Sequence, residues 1–114
     1  MGKSKFLKSD LTSSQDLSAG ALSYTTAIGR AFKLDQISIK ASVNITEDIT
    51  VTLDSKNGAN YDVVLKAATL SAEQYFVWKP DFEANFQSGD EVKVQCTNAN
   101  TTGTVYLTIK TSEI

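Results

Sequence analysis

Between Ile49 and Leu65 apolar and polar residues alternate with a period of two, and one Gly-bearing turn interrupts the alternation. Ile49, Val51 and Leu53 share a face against Thr50, Thr52 and Asp54. Tyr61, Val63 and Leu65 return after the turn 54–60, in which Asn57-Gly58 suits the positive φ angles of a tight reversal. The pattern predicts a hairpin over residues 48–66, because a period of two puts one side chain in two on the same face of a strand. A hairpin apolar on one side needs a second layer over it.

The rest of the chain repeats that period. Phe32 and Leu34 share one parity and Ile37, Ile39, Ala41 and Val43 the other, which requires a bulge near Asp35-Gln36. Residues 44–48 read as a loop and 67–72 as a connection. Val92, Val94 and Cys96 follow the turn Ser88-Gly89-Asp90, and Val105, Leu107 and Ile109 follow the polar loop 97–103. Residues 17–26 form a weaker strand region that Gly20 interrupts. Ser and Thr are abundant and Pro occurs once, so about seven or eight short strands and no helix are expected. The fold class is all-β, an antiparallel β-sandwich of jelly-roll type. Residues 1–16 are polar apart from Phe6, Leu7 and Leu11 and read as an N-terminal arm with room for one short edge strand. Residues 17–114 then make a single β-sandwich domain, long enough to hold a core without staples.

Composition removes most chemistry. There is no His and one Cys, so no Ser-His-Asp triad, Cys-His pair, thiolate zinc site or intrachain disulfide is possible. No cofactor or metal is expected, and the chain is read as a non-enzyme. The net charge is −2, and Lys3, Lys5 and Lys8 sit at the start, so the remainder holds the acidic excess. With Arg30 as the only Arg, nucleic acid is a poor partner. No stretch is apolar enough for a signal peptide or a membrane span, which places synthesis in a cytosol and predicts no membrane partner.

Several residues invite a sharper reading. Cys96 shares parity with Val92 and Val94 and reads as a small buried hydrophobe. Asp54, Asn57, Asn60 and Asp62 crowd one loop, but Lys56 breaks the calcium-loop pattern and turn chemistry explains them. Asp81/Glu83 and Asp90/Glu91 are the nearest carboxylate pairs for glycosidase chemistry, and acidic neighbours in turns are commonplace. The aromatic run Tyr75, Phe76, Trp78, Phe82 and Phe86 is more informative. Tyr75 and Val77 fall on one face of residues 73–79 and Phe76 and Trp78 on the other, so this strand is apolar on both sides, and Pro80 ends it. A two-layer fold buries one face of each sheet. The other face would stack on sugar rings or bury itself against copies of the chain, and its apolar neighbours favour the copies. In the arm, Lys3, Lys5 and Lys8 interleave with Phe6 and Leu7. They are either solvated or order on a partner that the lysines and apolar side chains anchor.

The order Ile-Thr-Val-Thr-Leu-Asp (49–54), a Gly-bearing turn, Tyr-Asp-Val-Val-Leu (61–65), Leu-Ser-Ala (70–72), an aromatic strand and Ser-Gly-Asp-Glu-Val-Lys-Val (88–94) resembles small β-sandwich structural proteins of tailed bacteriophages. Some of these are capsid decoration, or cement, proteins. Residues 86–94 also resemble the turn and strand of trimeric jelly rolls. The resemblance covers residues 32–110, and residues 1–31 carry none of it. It implies a virion component, made in the host bacterial cytoplasm, that forms a homo-oligomer, often a trimer, and binds the major capsid protein on the outside of the shell. On that reading Tyr75, Phe76, Trp78, Phe82 and Phe86 form the self-association surface, and Lys3, Lys5, Phe6, Leu7 and Lys8 contact the capsid. A carbohydrate- or receptor-binding module and a tail or neck protein are the alternatives.

Overall fold

The computed structural model describes residues 8–26 and 28–114. Its strands are β1 (Lys8–Asp16), β2 (Leu22–Thr25), β3 (Phe32–Asp54), β4 (Val63–Trp78), β5 (Asn85–Phe86), β6 (Glu91–Cys96) and β7 (Thr104–Glu113), with one short 3-10 turn at Ala59–Tyr61. Every pairing is antiparallel, in the order β1-β7-β3-β6-β2, and β4 and β5 also pair with β3. The expected all-β sandwich is therefore what the chain forms.

Two strands are far longer than expected, and their length organises the fold. The first part of β3, Phe32–Ala41, pairs with β7, whereas its last part, Ile49–Asp54, pairs with β6. β4 follows on the opposite side throughout, with Trp78 facing Ile37 at one end and Val63 facing Leu53 at the other. The β3–β4 hairpin thus runs through both layers. One layer holds β1, β7, the start of β3 and the end of β4; the other holds β2, β6, the end of β3 and the start of β4. Register shifts between Lys40 and Ile45 and between Ile45 and Glu47 mark the crossing, where bulges bend the paired strands. Across from them Ala72 adopts φ 52°, so β4 bends at the same place.

This corrects the loop expected at 44–48 and the connection expected at 67–72, since both are strand. The misleading residue is Glu47. Ile45, Glu47, Ile49 and Val51 all point inward, so a carboxylate occupies a core position and breaks the apolar alternation. The expected inward set Tyr61, Val63 and Leu65 is corrected too. Tyr61 belongs to the 3-10 turn and is exposed, Val63 opposite Leu53 is exposed as well, and Leu65, the extra residue at the register shift between Val51 and Thr52, is only partly buried. The bulge expected at Asp35-Gln36 is present as a shift between Leu34 and Gln36 against β7.

Half of the expected arm is strand: β1 pairs with β7 from Lys8 opposite Ser112 to Asp16 opposite Thr104. Its inward positions are Ser9, Leu11, Ser13 and Gln15, so the backbone ladder rather than apolar burial holds it in place. Asp16 closes it, its Oδ1 accepting from the Ser18 N–H (2.9 Å) and hydroxyl (2.7 Å).

A single core lies between the layers. Phe32, Leu34, Ile37 and Ile39 from β3 meet Val105, Leu107 and Ile109 from β7 on one side, and Val92, Val94 and Cys96 from β6 line the other. At about 25 cal/mol per Å² of apolar area, this burial is the main favourable term in folding.

Candidate interaction surface

The five aromatic residues of the anticipated surface do not form one patch. Phe86 is buried and stacks on Phe32, with ring centroids 4.8 Å apart and planes 18° from parallel. Phe76 is also buried in the core. Both belong to the interior, a correction that follows from their inward parity opposite Phe32 and Ile39. Trp78 is half-buried against the core, and the exposed Phe82 tilts over it at 6.4 Å. Only Tyr75, together with Val77, stands on the outer face, each 62% exposed.

Tyr75 gains a neighbour that sequence reading missed. Lys40 on β3 lies opposite Tyr75 on one side and opposite Tyr106 of β7 on the other, and Tyr106 is in turn opposite Ser14. The outer face thus carries a row Tyr75, Lys40, Tyr106, Ser14 across four strands. The next row is Val77, Ser38, Thr108, Thr12. Tyr106 is 52% exposed, about 10 Å from Tyr75 at two strand spacings. Its outward parity was legible, but which strand lies beside which was not.

Of the anticipated capsid-contact residues, Lys3, Lys5, Phe6 and Leu7 lie outside the described residues. Lys8 opens β1, its Nζ 3.9 Å from Asp35 Oδ2 at the β3 bulge, and the Ser112 hydroxyl donates to Asp35 Oδ1. Beside it, Lys8, Asp10, Asp35, Lys79 and Lys110 line a shallow open depression. Lys110 and Asp10 pair across it at 3.3 Å, so charge there is mixed.

Two of the other candidate carboxylates, Asp62 and Asp90, are engaged in turns. Asp90 ties two turns together, accepting from the Lys56 N–H through Oδ1 and the Gln87 N–H through Oδ2. Asp62 Oδ1 accepts from the Ser55 N–H, as turn chemistry requires. Among the described residues no three acidic, Cys or His side chains are grouped to hold a metal. Cys96 is buried, and burial, followed by the carboxylates of Glu47 and Asp48, pushes its thiol up to about 11. The Glu47 carboxylate lies just beneath the surface and accepts from the Thr97 hydroxyl and the Ala99 and Asn100 N–H groups. Burial raises its pKa, but these hydrogen bonds together outweigh that and hold it below the ordinary value. Among the described residues no helix is long and apolar enough to cross a membrane.

No family model matches the chain, and no curated protein matches it. Three solved structures are similar to it at low identity. The core of Drosophila NLP, solved for insight into pentamer formation and histone binding, has a TM-score of 0.46 and 18% identity over 89% of this chain and 95% of that one. PirA has a TM-score of 0.46 and 13% identity over 96% and 94%. A chain of infectious bursal disease virus, strain Gx, has a TM-score of 0.35 and 11% identity, covering 95% of this chain and 30% of that one. Likeness at this level transfers neither partner nor activity.

Proposed function

We propose that this chain is a non-enzymatic virion protein of a tailed phage, a decoration module that self-associates and binds the outside of the capsid shell. The observation that carries the reading is the outer face of the first layer. There Tyr75, Val77 and Tyr106 stand exposed over a sandwich whose one thiol, Cys96, is buried, with burial pushing it up to about 11. Exposed rings and a β-branched side chain on a rigid sheet suit contact with another protein surface. The resemblance over residues 32–110 supplies the shell as partner, and the lysines of residues 1–8 supply charge for an acidic patch on it. Cryo-electron microscopy of the particle encoded by the same genome tests this. Density for the sandwich on the shell exterior is expected; density at the tail or neck moves the protein there, and absence from the particle overturns the reading.

A second reading, a carbohydrate-binding face, is favoured by one specific feature. Tyr75 and Tyr106 are bordered by the hydroxyl side chains of Ser14, Ser38, Thr108 and Thr12, and rings beside hydrogen-bonding groups suit sugar. Glycan-array binding that is lost in Tyr106→Ala would support it over the first.

A further inference from the structure

The end of β4 is a sheet edge. On one side Tyr75–Trp78 pairs with β3, and among the described residues no strand pairs with the other side. Long apolar edges invite further pairing, and natural sheets blunt them. The start of β4 is blunted by the register shift at Leu65 and by Lys66. The edge of β1 carries Lys8 and Asp10, and β2 has only four residues. Residues 74–78 carry no charge, proline or register shift, and the only charges, Glu73 and Lys79, stand at the two ends of the segment. The segment lies between the bend at Ala72 and Pro80, which lacks an N–H.

We infer that residues 73–79 pair antiparallel with the same residues of a second copy about a two-fold axis at Phe76. The sequence Glu-Gln-Tyr-Phe-Val-Trp-Lys is self-complementary in that register. Glu73 meets Lys79 of the second copy, Tyr75 meets Val77, Phe76 meets Phe76, and the second half repeats these pairs by symmetry. Glu73, Tyr75, Val77 and Lys79 share one parity along the strand and are all exposed, and Glu73 Oε1 also accepts from the Ser71 N–H. Among the described residues neither Glu73 nor Lys79 has an ion-pair partner within its own chain. The contact therefore supplies two ion pairs and two aromatic-to-valine pairs on one face, the kinds of cross-strand pair that stabilise antiparallel strands. On the other face the half-buried Trp78 gains the Gln74 of the second copy. The ladder ends where each copy bends at Ala72 and where Pro80 begins. An isologous contact closes on itself, so the product is a dimer with one continuous sheet and not a fibre. The inference rests on the reading of the chain as a self-associating assembly protein and specifies a two-fold contact in place of the trimer that the resemblance implies.

Sedimentation equilibrium of the full chain, with circular dichroism as the folding control, tests the register through charge reversal. Glu73→Lys alone and Lys79→Glu alone each place like charges opposite one another twice, and each should weaken dimerisation by at least about tenfold while the fold is retained. The double variant Glu73→Lys/Lys79→Glu restores both pairs with reversed polarity and should return to within about threefold of the parent. A parent that stays monomeric at 100 μM (about the concentration at which a weak transient contact shows), single variants that dimerise like the parent, or a double variant without rescue would each overturn the register. As a second readout, a Tyr75→Cys chain mixed with a Val77→Cys chain should form the mixed disulfide on oxidation. A chain that decorates shells but is monomeric in solution sinks this contact alone. A chain that dimerises as described but is absent from particles sinks the virion role alone.

Discussion

Glu47 Oε1 accepts a 2.7 Å hydrogen bond from the Oγ1 of Thr97, 50 residues further along the chain. The same carboxylate takes the Ala99 and Asn100 N–H groups at 2.9 Å, so one inward-facing acid at the layer crossing fixes the loop before β7. Removing it leaves three donors without their acceptor, and Glu47→Ala should destabilise the fold by about 1–3 kcal/mol in urea denaturation. The pH dependence has a defined sign. The folded pKa lies below the ordinary 4.5, so the stabilisation is complete above about pH 4.5 and is lost as pH falls through the folded value. Glu47→Gln should lack this component of acid destabilisation; an unchanged acid profile would show that the network contributes nothing.

Phe86 belongs to a two-residue strand, yet it holds the end of the sandwich through its stack on Phe32. Phe86→Ala opens a cavity that a pair of buried rings cannot refill, at a cost of about 3–5 kcal/mol. Phe82→Ala, with its ring half in solvent, should cost much less. Equal losses in the two variants would contradict the division of the aromatic run into core and surface.

The contrast between these two residues shows what the sequence makes legible. Ile49, Val51, Val94, Val105 and Leu107 were readable as inward because solvent lies on one side of each strand and the alternation records it. β1 was not readable as a long strand, because its inward positions Ser9, Ser13 and Gln15 are polar and a backbone ladder leaves no trace in hydropathy. The crossing was hidden because Glu47 sits where an apolar residue would continue the pattern. At the candidate surface the outward parity of Tyr75 was legible. Its alignment with Tyr106 through Lys40 was not, because lateral strand order is set by the whole topology and not by any local period.

Cys96 should be inert in the folded protein. Its thiol titrates at about 11 instead of 9.0, which lowers the thiolate fraction at pH 8 by roughly 100-fold before burial slows reagent access. Reaction with a disulfide reagent should be at least that much slower than in urea-unfolded chain, and Cys96→Ala should leave assembly unchanged. Rapid native labelling would reopen the case for a reactive thiol.

Gly103 and Gly20 offer a matched pair. Gly103 has φ 83°, and a Cβ there would approach Val43 Cγ2 to 2.9 Å and the buried Ile45 Cγ2 to 3.3 Å. Gly103→Ala should therefore cost about 1–2 kcal/mol from backbone conformation, with the close contact adding to it. At Gly20 a Cβ would meet only Gln15 Nε2 at 3.6 Å, so Gly20→Ala should lie within about 0.5 kcal/mol of the parent. Thermal or urea melts of the two variants give the comparison directly.

Tyr75 and Tyr106 share a face but differ in distance from the free edge, and this separates the modes of recognition. Tyr75 is on the edge strand itself, whereas Tyr106 lies two strands further in, beyond Lys40. Edge pairing between two copies reaches Tyr75 alone; a ligand lying flat on the sheet reaches both rings. Each Tyr→Ala change removes a half-exposed ring and should alter stability by no more than about 0.5–1 kcal/mol. Tyr75→Ala should then weaken dimerisation by about three- to tenfold through loss of its pair with Val77, while Tyr106→Ala leaves the dimer constant unchanged. Equal weakening by both substitutions would mean that copies associate face to face. Loss of binding to a shell or a glycan in Tyr106→Ala, with the dimer intact, would assign the face to the external partner and the edge to the second copy.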